Sequence, residues 1–150
     1  MNIDFQKLII QKHVIDSSSH DKSKKLSVAY GVDRNFLFGS GISMTSVLVN
    51  NPDIDIHFYI VTDYIDDDYL KSVKRLTQMY STTVTVLVFD NAAFRELPST
   101  KAWTYAMYYR YFACEYLSTE LSSVLYLDAD GICMGSRRAL TEINFWGEYA

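Results

Sequence analysis

Two carboxylates one residue apart, Asp128 and Asp130, directly follow an apolar run at residues 124–127. Four consecutive apolar residues suit a strand that is buried on both faces of a parallel sheet. Open α/β sheets bind ligands at the carboxyl ends of their strands, where both side chains would lie. Neighbouring carboxylates repel each other, so such a pair calls for a cation, a shared proton or a nearby base, and oxygen ligands favour Mg²⁺, Mn²⁺ or Ca²⁺ over Zn²⁺. The pattern predicts a divalent-metal site, and a solvated turn after a core strand is the simpler alternative.

Asp33 and Asn35 form a second polar pair, just after a strand predicted at residues 26–31. The ends of the first and fourth strands of such a sheet can meet at a topological switch point, which would bring this pair near Asp128 and Asp130. A nucleotide fits that geometry. Asp33 could accept a hydrogen bond from the N–H of a uracil ring, and Asn35 could bind the ring or the ribose. The alternative is a helix N-cap, for which Asp and Asn are preferred residues.

The rest of the sequence predicts the elements that hold these residues. Strands are predicted at residues 26–31, 54–62, 83–89 and 124–127, and helices at residues 36–49, 66–80 and 103–117. Pro52 forbids continuation of the first helix, and Asp66 to Asp68 open the second because carboxylates favour a helix N-terminus. The alternation of strands and helices predicts an α/β fold with a mostly parallel sheet flanked by helices. Residues 1–25 are expected to form an N-terminal extension before one domain over residues 26–150.

Composition limits the class of function. The 150 residues are 49% hydrophobic and 21% charged, which predicts one globular domain with a real core. The net charge of −4 provides no basic field, so we expect no nucleic-acid partner. Neither Cys114 nor Cys133 has ligand spacing to a histidine, which argues against a structural zinc site. The sequence shows neither an apolar run of membrane-spanning length nor a signal-peptide pattern, so we expect a cytoplasmic protein.

Three ordered motifs resemble family 8 of the glycosyltransferases. They are Ala29-Tyr-Gly-Val-Asp-Arg-Asn-Phe-Leu-Phe-Gly39, Trp103-Thr-Tyr-Ala-Met-Tyr-Tyr-Arg-Tyr-Phe-Ala-Cys-Glu-Tyr-Leu117 and Val124-Leu-Tyr-Leu-Asp-Ala-Asp130. Within the family the chain is most similar to bacterial lipopolysaccharide core glucosyltransferases and galactosyltransferases. The resemblance implies a GT-A-type, Rossmann-like fold, a UDP-hexose donor, a Mn²⁺ or Mg²⁺ ion, and transfer to the lipopolysaccharide core with retention of anomeric configuration.

The resemblance also implies donor-binding roles for six positions, namely Asp33, Asn35, Arg110, Asp128, Ala129 and Asp130. Asp33 and Asn35 match residues that contact the uridine. Arg110 matches a catalytic helix arginine that reaches the donor sugar and diphosphate. Without the resemblance, Arg110 could equally be a solvated helix position or a partner of Glu115. The last three positions match the DXD motif, whose two aspartates bind the metal.

The chain departs from the family pattern at two places. Gly131 follows the second aspartate where relatives have β-branched residues, and a glycine loosens the strand just beyond the metal site. The sequence also ends at Ala150, before an acceptor-binding half with a late histidine metal ligand, and His13, His20 and His57 lie outside the family motifs. We therefore expect a truncated, donor-binding half. Its own activity, the choice between UDP-glucose and UDP-galactose, the third metal ligand, the acceptor linkage and the oligomeric state stay open.

Three further hypotheses remain. A truncated chain could be a non-catalytic remnant that binds a nucleotide sugar. Residues 125–132 also resemble the first motif of haloacid-dehalogenase phosphatases, with Asp128 as nucleophile and Asp130 as acid or base, but the lysine and acidic pair of that family would have to lie in the last 20 residues. Lys22, Lys24 and Lys25 could make peripheral contact with the cytoplasmic face of the inner membrane, or simply form a solvated linker.

Overall fold

A five-stranded sheet forms the centre of the molecule. The computed structural model describes residues 4–95, 97, 98, 100 and 105–143. The strands are β1 Ile9–Asp16, β2 Lys24–Val32, β3 Ile54–Thr62, β4 Thr83–Phe89 and β5 Leu125–Tyr126, in the spatial order β1-β4-β3-β2-β5. Strands β4, β3, β2 and β5 run parallel, whereas β1 pairs antiparallel with β4. The predicted α/β class with a mostly parallel sheet is confirmed.

Helices cover both faces of this sheet. They are α1 Phe5–Leu8, α2 Leu37–Asn50, α3 Asp67–Tyr80 and α4 Tyr109–Ser118, and short 3₁₀ turns occupy Arg34–Phe36, Asn91–Phe94, Tyr105–Tyr108 and Arg138–Glu142. Side chains alternate across a strand, so Val28 and Tyr30 of β2 join the core under α2 and α3, whereas Ala29 joins the core under α4. Strands β3 and β4 are therefore buried along almost their whole length, and their residues are mostly apolar, as expected for a sheet covered on both sides.

Most predicted elements match the structure, and the largest differences in their limits occur in two strands and one helix. Strands β3 and β4 have the predicted limits, while β2 begins two residues earlier, at Lys24, and ends one residue later, at Val32. The predicted strand at residues 124–127 is reduced to Leu125–Tyr126, because only Val28 and Ala29 of β2 pair with it. The predicted helix at residues 103–117 begins as a 3₁₀ turn at Tyr105 and becomes α4 at Tyr109. Trp103, its predicted first residue, lies outside the described residues.

The first 25 residues contribute more to the fold than an extension would. Their strand β1 pairs with β4 along its whole length, from Ile9 opposite Phe89 to Asp16 opposite Thr83. Phe5 of α1 packs edge-on against Phe112 of α4, with ring centroids 5.6 Å apart. The residues of β1 are exposed or only partly buried, so few of them need to be apolar, which is why the sequence of β1 gives a weak signal.

A polar cluster holds the loop between β1 and β2 at the amino ends of the parallel strands. His20 Nε2 lies 2.8 Å from Asp16 Oδ2, and its Nδ1 lies 3.4 Å from Asp55 Oδ2. The buried Asp55 carboxylate also accepts the Ser18 hydroxyl at 2.8 Å. The hydrogen bond to Asp16 raises the pKa of His20, whereas burial lowers the pKa of His57 on β3. The two histidines near this end of the sheet thus have pKa values that move in opposite directions.

Within the described residues, no helix combines the length and the apolar character that crossing a bilayer requires.

Candidate functional site

An aspartate follows each parallel strand at the carboxyl edge of the sheet. Asp33 follows β2, Asp63 follows β3 and Asp90 follows β4, while Asp128 comes two residues after β5. Parallel strands end at the same edge, so the four carboxylates lie along one side of the sheet. This edge is where the sequence analysis placed its candidate residues.

The loop after β5 carries Asp128 and Asp130, and both side chains are exposed. Leu127 N donates to Ala29 O at 3.0 Å, which keeps the chain beside β2 up to the first aspartate. The chain then turns, and Gly131 N donates to Asp128 O at 3.0 Å. A Cβ on Gly39 would lie 3.2 Å from Ala129 O, so the first turn of α2 packs closely against this loop. The two carboxylates therefore lie on a loop that is packed between β2 and the first turn of α2.

Arg110 projects from the first turn of α4 onto this loop. Its Nη2 donates to Asp128 Oδ1 at 2.9 Å, and its guanidinium carbon lies 5.2 Å from the centroid of the Tyr126 ring. Both charged side chains are about half exposed, at 50% and 64% of their accessible area. We call Arg110, Tyr126, Asp128 and Asp130 the carboxylate site. It places a cation and two carboxylates at the end of β5, and Asp128 rather than Glu115 is the partner of Arg110.

Gly31 of β2 makes the close packing beneath this site possible. Its N–H donates to the Tyr126 hydroxyl oxygen at 3.1 Å. A Cβ at this position would lie 2.8 Å from Tyr109 Cβ and 2.9 Å from the Tyr126 hydroxyl oxygen, which is closer than side chains tolerate. Burial raises the pKa of Tyr126, and the hydrogen bond from Gly31 opposes that rise. Only glycine allows β2, β5 and α4 to meet here.

Asp33 and Asn35 line a separate cavity at the same edge of the sheet. Asp33 caps the short turn after β2 by accepting from Asn35 N at 2.9 Å, as the N-cap alternative predicted. The cavity has a volume of about 450 Å³, and Asp63, Asn91 and Arg95 also line it. We call it the edge cavity. Asp128 and Asp130 lie outside its wall, one strand away beyond β2, so the structure brings the two predicted pairs to one edge but not into one cavity.

Sequence reasoning missed Asp63, Asn91 and Tyr126. Asn91 Nδ2 donates to Asp63 Oδ2 at 2.6 Å, which links the ends of β3 and β4 across the edge cavity. The buried Tyr109 hydroxyl also hydrogen-bonds with Asn91 and Asp63, and burial raises its pKa. The recurrence of aspartate directly after successive strands was the signal that would have pointed to Asp63.

The carboxylate site suits a hard divalent cation that is shared with a phosphate ligand. Among the residues that the structure describes, no group of three or more His, Cys, Asp or Glu side chains could enclose a metal ion. Mg²⁺, however, is commonly held by one or two carboxylates together with water and substrate phosphates. Asp128 and Asp130 supply exposed oxygen donors of that kind, so their chemistry fits such an ion.

Comparison with known proteins gives consistent results. The sequence model for Glycosyl transferase family 8 matches residues 27–150. Lipopolysaccharide 1,3-galactosyltransferase of Salmonella typhimurium is 39% identical over 142 residues, which cover 94% of this chain and 42% of that protein. Lipopolysaccharide glucosyltransferase WaaO of Escherichia coli K12 is 39% identical over 143 residues, again covering 94% of this chain and 42% of that protein. The chain thus spans less than half the length of these relatives.

A solved structure gives the same picture of the fold. An active-site mutant of LgtC superposes with a TM-score of 0.67 at 20% sequence identity. The superposition covers 79% of this chain and 42% of that chain. At this level of identity the likeness concerns the arrangement of strands and helices alone.

Proposed function

The chain belongs to glycosyl transferase family 8 and has a GT-A-type fold, and from these premises we propose that it binds a UDP-hexose as the donor part of a retaining glycosyltransferase. The observation that carries the proposal is the contact of Arg110 with Asp128, at 2.9 Å, at the carboxyl end of β5. A guanidinium beside two carboxylates can serve both a metal and a diphosphate. The names of the relatives point to lipopolysaccharide as the acceptor and to glucose or galactose as the sugar, and we propose the lipopolysaccharide core as the acceptor here.

The edge cavity is the proposed site of the nucleoside. Asp33 would accept from the uracil N–H, and Asn35 offers an amide that can both donate and accept. A volume of about 450 Å³ lies within the range of small-molecule sites. Asp33 already caps its own turn, so its carboxylate is held in place before a ligand arrives.

The carboxylate site is the proposed site of the diphosphate. Breaking the bond between the anomeric carbon and the diphosphate oxygen leaves positive charge on the sugar and negative charge on UDP. Arg110 would stabilise the phosphates through paired N–H donors, which a planar guanidinium presents in a fixed fork. Asp128 and Asp130 would hold Mn²⁺ or Mg²⁺, and such an ion, when bound, would supply positive charge against the leaving group. The oxygen of an acceptor hydroxyl would then bond to the anomeric carbon, and its proton would pass to the departing diphosphate, which completes the transfer.

We propose a cytoplasmic location, where nucleotide sugars serve as donors, with peripheral contact at the inner membrane through Lys22, Lys24 and Lys25. Lys24 and Lys25 lie in β2 and not in a linker, and Lys24 Nζ also contacts Glu142 Oε1 at 2.9 Å. The haloacid-dehalogenase hypothesis is set aside because the family match extends over residues 27–150. A non-catalytic nucleotide-sugar binder remains an outcome of the tests below.

Calorimetric titration with UDP, with and without Mn²⁺, tests the donor site. We expect UDP to bind more tightly with Mn²⁺, and we expect the variant Asp128→Ala/Asp130→Ala to lose the metal-dependent part. The control Asp67→Ala/Asp68→Ala removes two carboxylates on α3, with the same change of charge, and should bind as the wild type does. A folded wild-type chain that does not bind UDP under either condition would contradict the proposal.

Activity needs a second assay. Transfer of radiolabelled hexose from UDP-glucose or UDP-galactose to a lipopolysaccharide core acceptor would identify a working transferase. Metal-dependent UDP binding without transfer would instead identify the non-catalytic binder.

A further inference from the structure

Tyr126 connects strand β2 to Arg110 of the carboxylate site. Its hydroxyl oxygen accepts the Gly31 N–H at 3.1 Å, and its ring lies 5.2 Å from the guanidinium carbon of Arg110. Residues two apart along an extended chain project to the same side, so Tyr126 and Asp128 face Arg110 together. The arginine is therefore held by a ring and a carboxylate that come from the same segment.

The two supports of Arg110 differ in what they do when a ligand binds. Asp128 is half exposed and is the proposed metal ligand, so its contact with Arg110 competes with the metal. The Tyr126 ring offers its π face, which attracts a cation without consuming a hydrogen-bond donor, and the Tyr126 hydroxyl also interacts with Arg110. Arg110 can thus stay on the ring while its N–H groups turn to the donor phosphates.

The orientation of the ring is itself fixed from β2. The Gly31 N–H points at the hydroxyl oxygen, and the packing at Gly31 leaves no room for a side chain between the two. The ring is also less exposed than the arginine above it, since Tyr126 is partly buried and packs against the core under α4. A partly buried ring that is hydrogen-bonded to β2 restricts the positions that the half-exposed guanidinium can take.

We propose that Tyr126 is a positioning residue: its ring holds Arg110 within reach of the donor diphosphate, and the backbone of Gly31 fixes the ring. This inference rests on the proposed function for the identity of the ligand. It adds a residue to the site that acts through Arg110 and not through contact with the donor.

A double-mutant cycle separates positioning from a general structural role. Tyr126→Leu removes the ring and should weaken Mn²⁺-dependent UDP binding by about five-fold, as expected for loss of a cation–π contact. Tyr126→Phe keeps the ring and should lose about two-fold or less. In an Arg110→Gln background, Tyr126→Leu should cause no further loss. Tyr59→Phe on β3, which also removes one tyrosine hydroxyl, is the matched control and should bind as the wild type does.

Equal weakening by Tyr126→Leu in both backgrounds would overturn the proposal, because the effect would then not pass through Arg110. Unchanged binding by Tyr126→Leu in the wild-type background would overturn it as well.

A measurement without ligand keeps the inference separate from the proposed function. In the wild-type chain, ring current from Tyr126 should shift the Arg110 Hδ proton signals upfield of those of Arg75, with assignment from the Arg110→Gln variant. Coincident Arg110 and Arg75 signals would overturn the inference even if UDP binds. Shifted signals in a folded chain that does not bind UDP would instead count against the proposed function alone, and this test needs no Tyr126 variant to fold.

Discussion

The absence of a side chain at Gly31 allows Tyr109 and Tyr126 to pack closely beneath the site. A Cβ at this position would approach Tyr109 Cβ to 2.8 Å and the Tyr126 hydroxyl oxygen to 2.9 Å. We expect Gly31→Ala to lower the free energy of unfolding by about 1–3 kcal/mol through overpacking. Urea denaturation would measure the change.

Gly41 of α2 is the matched control for Gly31. A Cβ there would meet no atom within 4 Å, and the residue lies inside a helix. Gly41→Ala should therefore raise the free energy of unfolding by about 0.5–1 kcal/mol, because alanine favours a helix over glycine. Equal effects of the two substitutions would show that the packing at Gly31 is looser than the structure indicates.

His20 and His57 should give the stability of the protein opposite dependences on pH. The pKa of His20 is raised from 6.5 by Asp16, so its stabilising effect is complete below pH 6.5 and is lost as the pH rises through the raised value. The pKa of His57 is lowered by burial, so its effect is a loss of stability as the pH falls from 6.5 through the lowered value.

Urea denaturation between pH 5 and pH 8 would separate the two histidines. We expect His20→Gln to be less stable than the wild type near pH 6 and to approach it near pH 8. His57→Gln should lack the decline on the acid side. A constant difference between His20→Gln and the wild type across the whole range would contradict the ion pair with Asp16.

The residues of the site could be found from sequence only where a local pattern marks them. Asp128 and Asp130 stand out because an apolar run precedes them, and Asp33 and Asn35 because they follow a strand and a glycine. Tyr126 lies inside the apolar run and looks like any core residue. Its contacts with Gly31 and Arg110 join distant parts of the chain, and no spacing along the sequence encodes them.

Helix α3 begins with a side-chain cap whose removal should be measurable. Asp66 Oδ1 accepts from Tyr69 N at 2.8 Å, which satisfies a backbone donor that the first helical turn leaves free. Asp66→Ala should lower the free energy of unfolding by about 1 kcal/mol, as read from thermal or urea denaturation. Asp67→Ala removes a neighbouring carboxylate without breaking the cap, and should cost only about 0.3–0.5 kcal/mol. Equal losses would mean that charge at the helix end, and not the cap, is what matters.

The limits of a strand or helix could be predicted from the sequence where burial of its own residues sets them, and not where a partner strand or a local turn does. Strands β3 and β4 are buried on both faces, so their apolar runs fix their limits at Ile54–Thr62 and Thr83–Phe89. Strand β5 is short because β2 pairs with it at only two positions, which depends on the partner and not on its own residues. Helix α4 begins later than the aromatic periodicity predicted, because the residues before Tyr109 form a tighter turn.

Strand β1 protects the edge of the sheet that β4 would otherwise expose. Every residue of β4 is buried, and β1 covers its outer edge. Deleting residues 1–22 should expose that edge to pairing with other chains, so we expect aggregation in size-exclusion chromatography. Adding a synthetic peptide of residues 5–16 should restore a monomer. A deletion that stays monomeric and folded would instead support the predicted domain limit at residue 26.

The length of β3 has a consequence for how the protein responds to acid. Asp55 and His57 lie near its start, and Asp63 lies just beyond its end. At about 3.3 Å per residue, roughly 20 Å separate His57 from Asp63. Coulomb energy falls with distance, and solvent with physiological salt further weakens the interaction of exposed charges beyond about 8 Å, so charges at the two ends of β3 interact only weakly. We therefore expect substitutions at the histidine end to change stability without changing ligand affinity at the proposed UDP site.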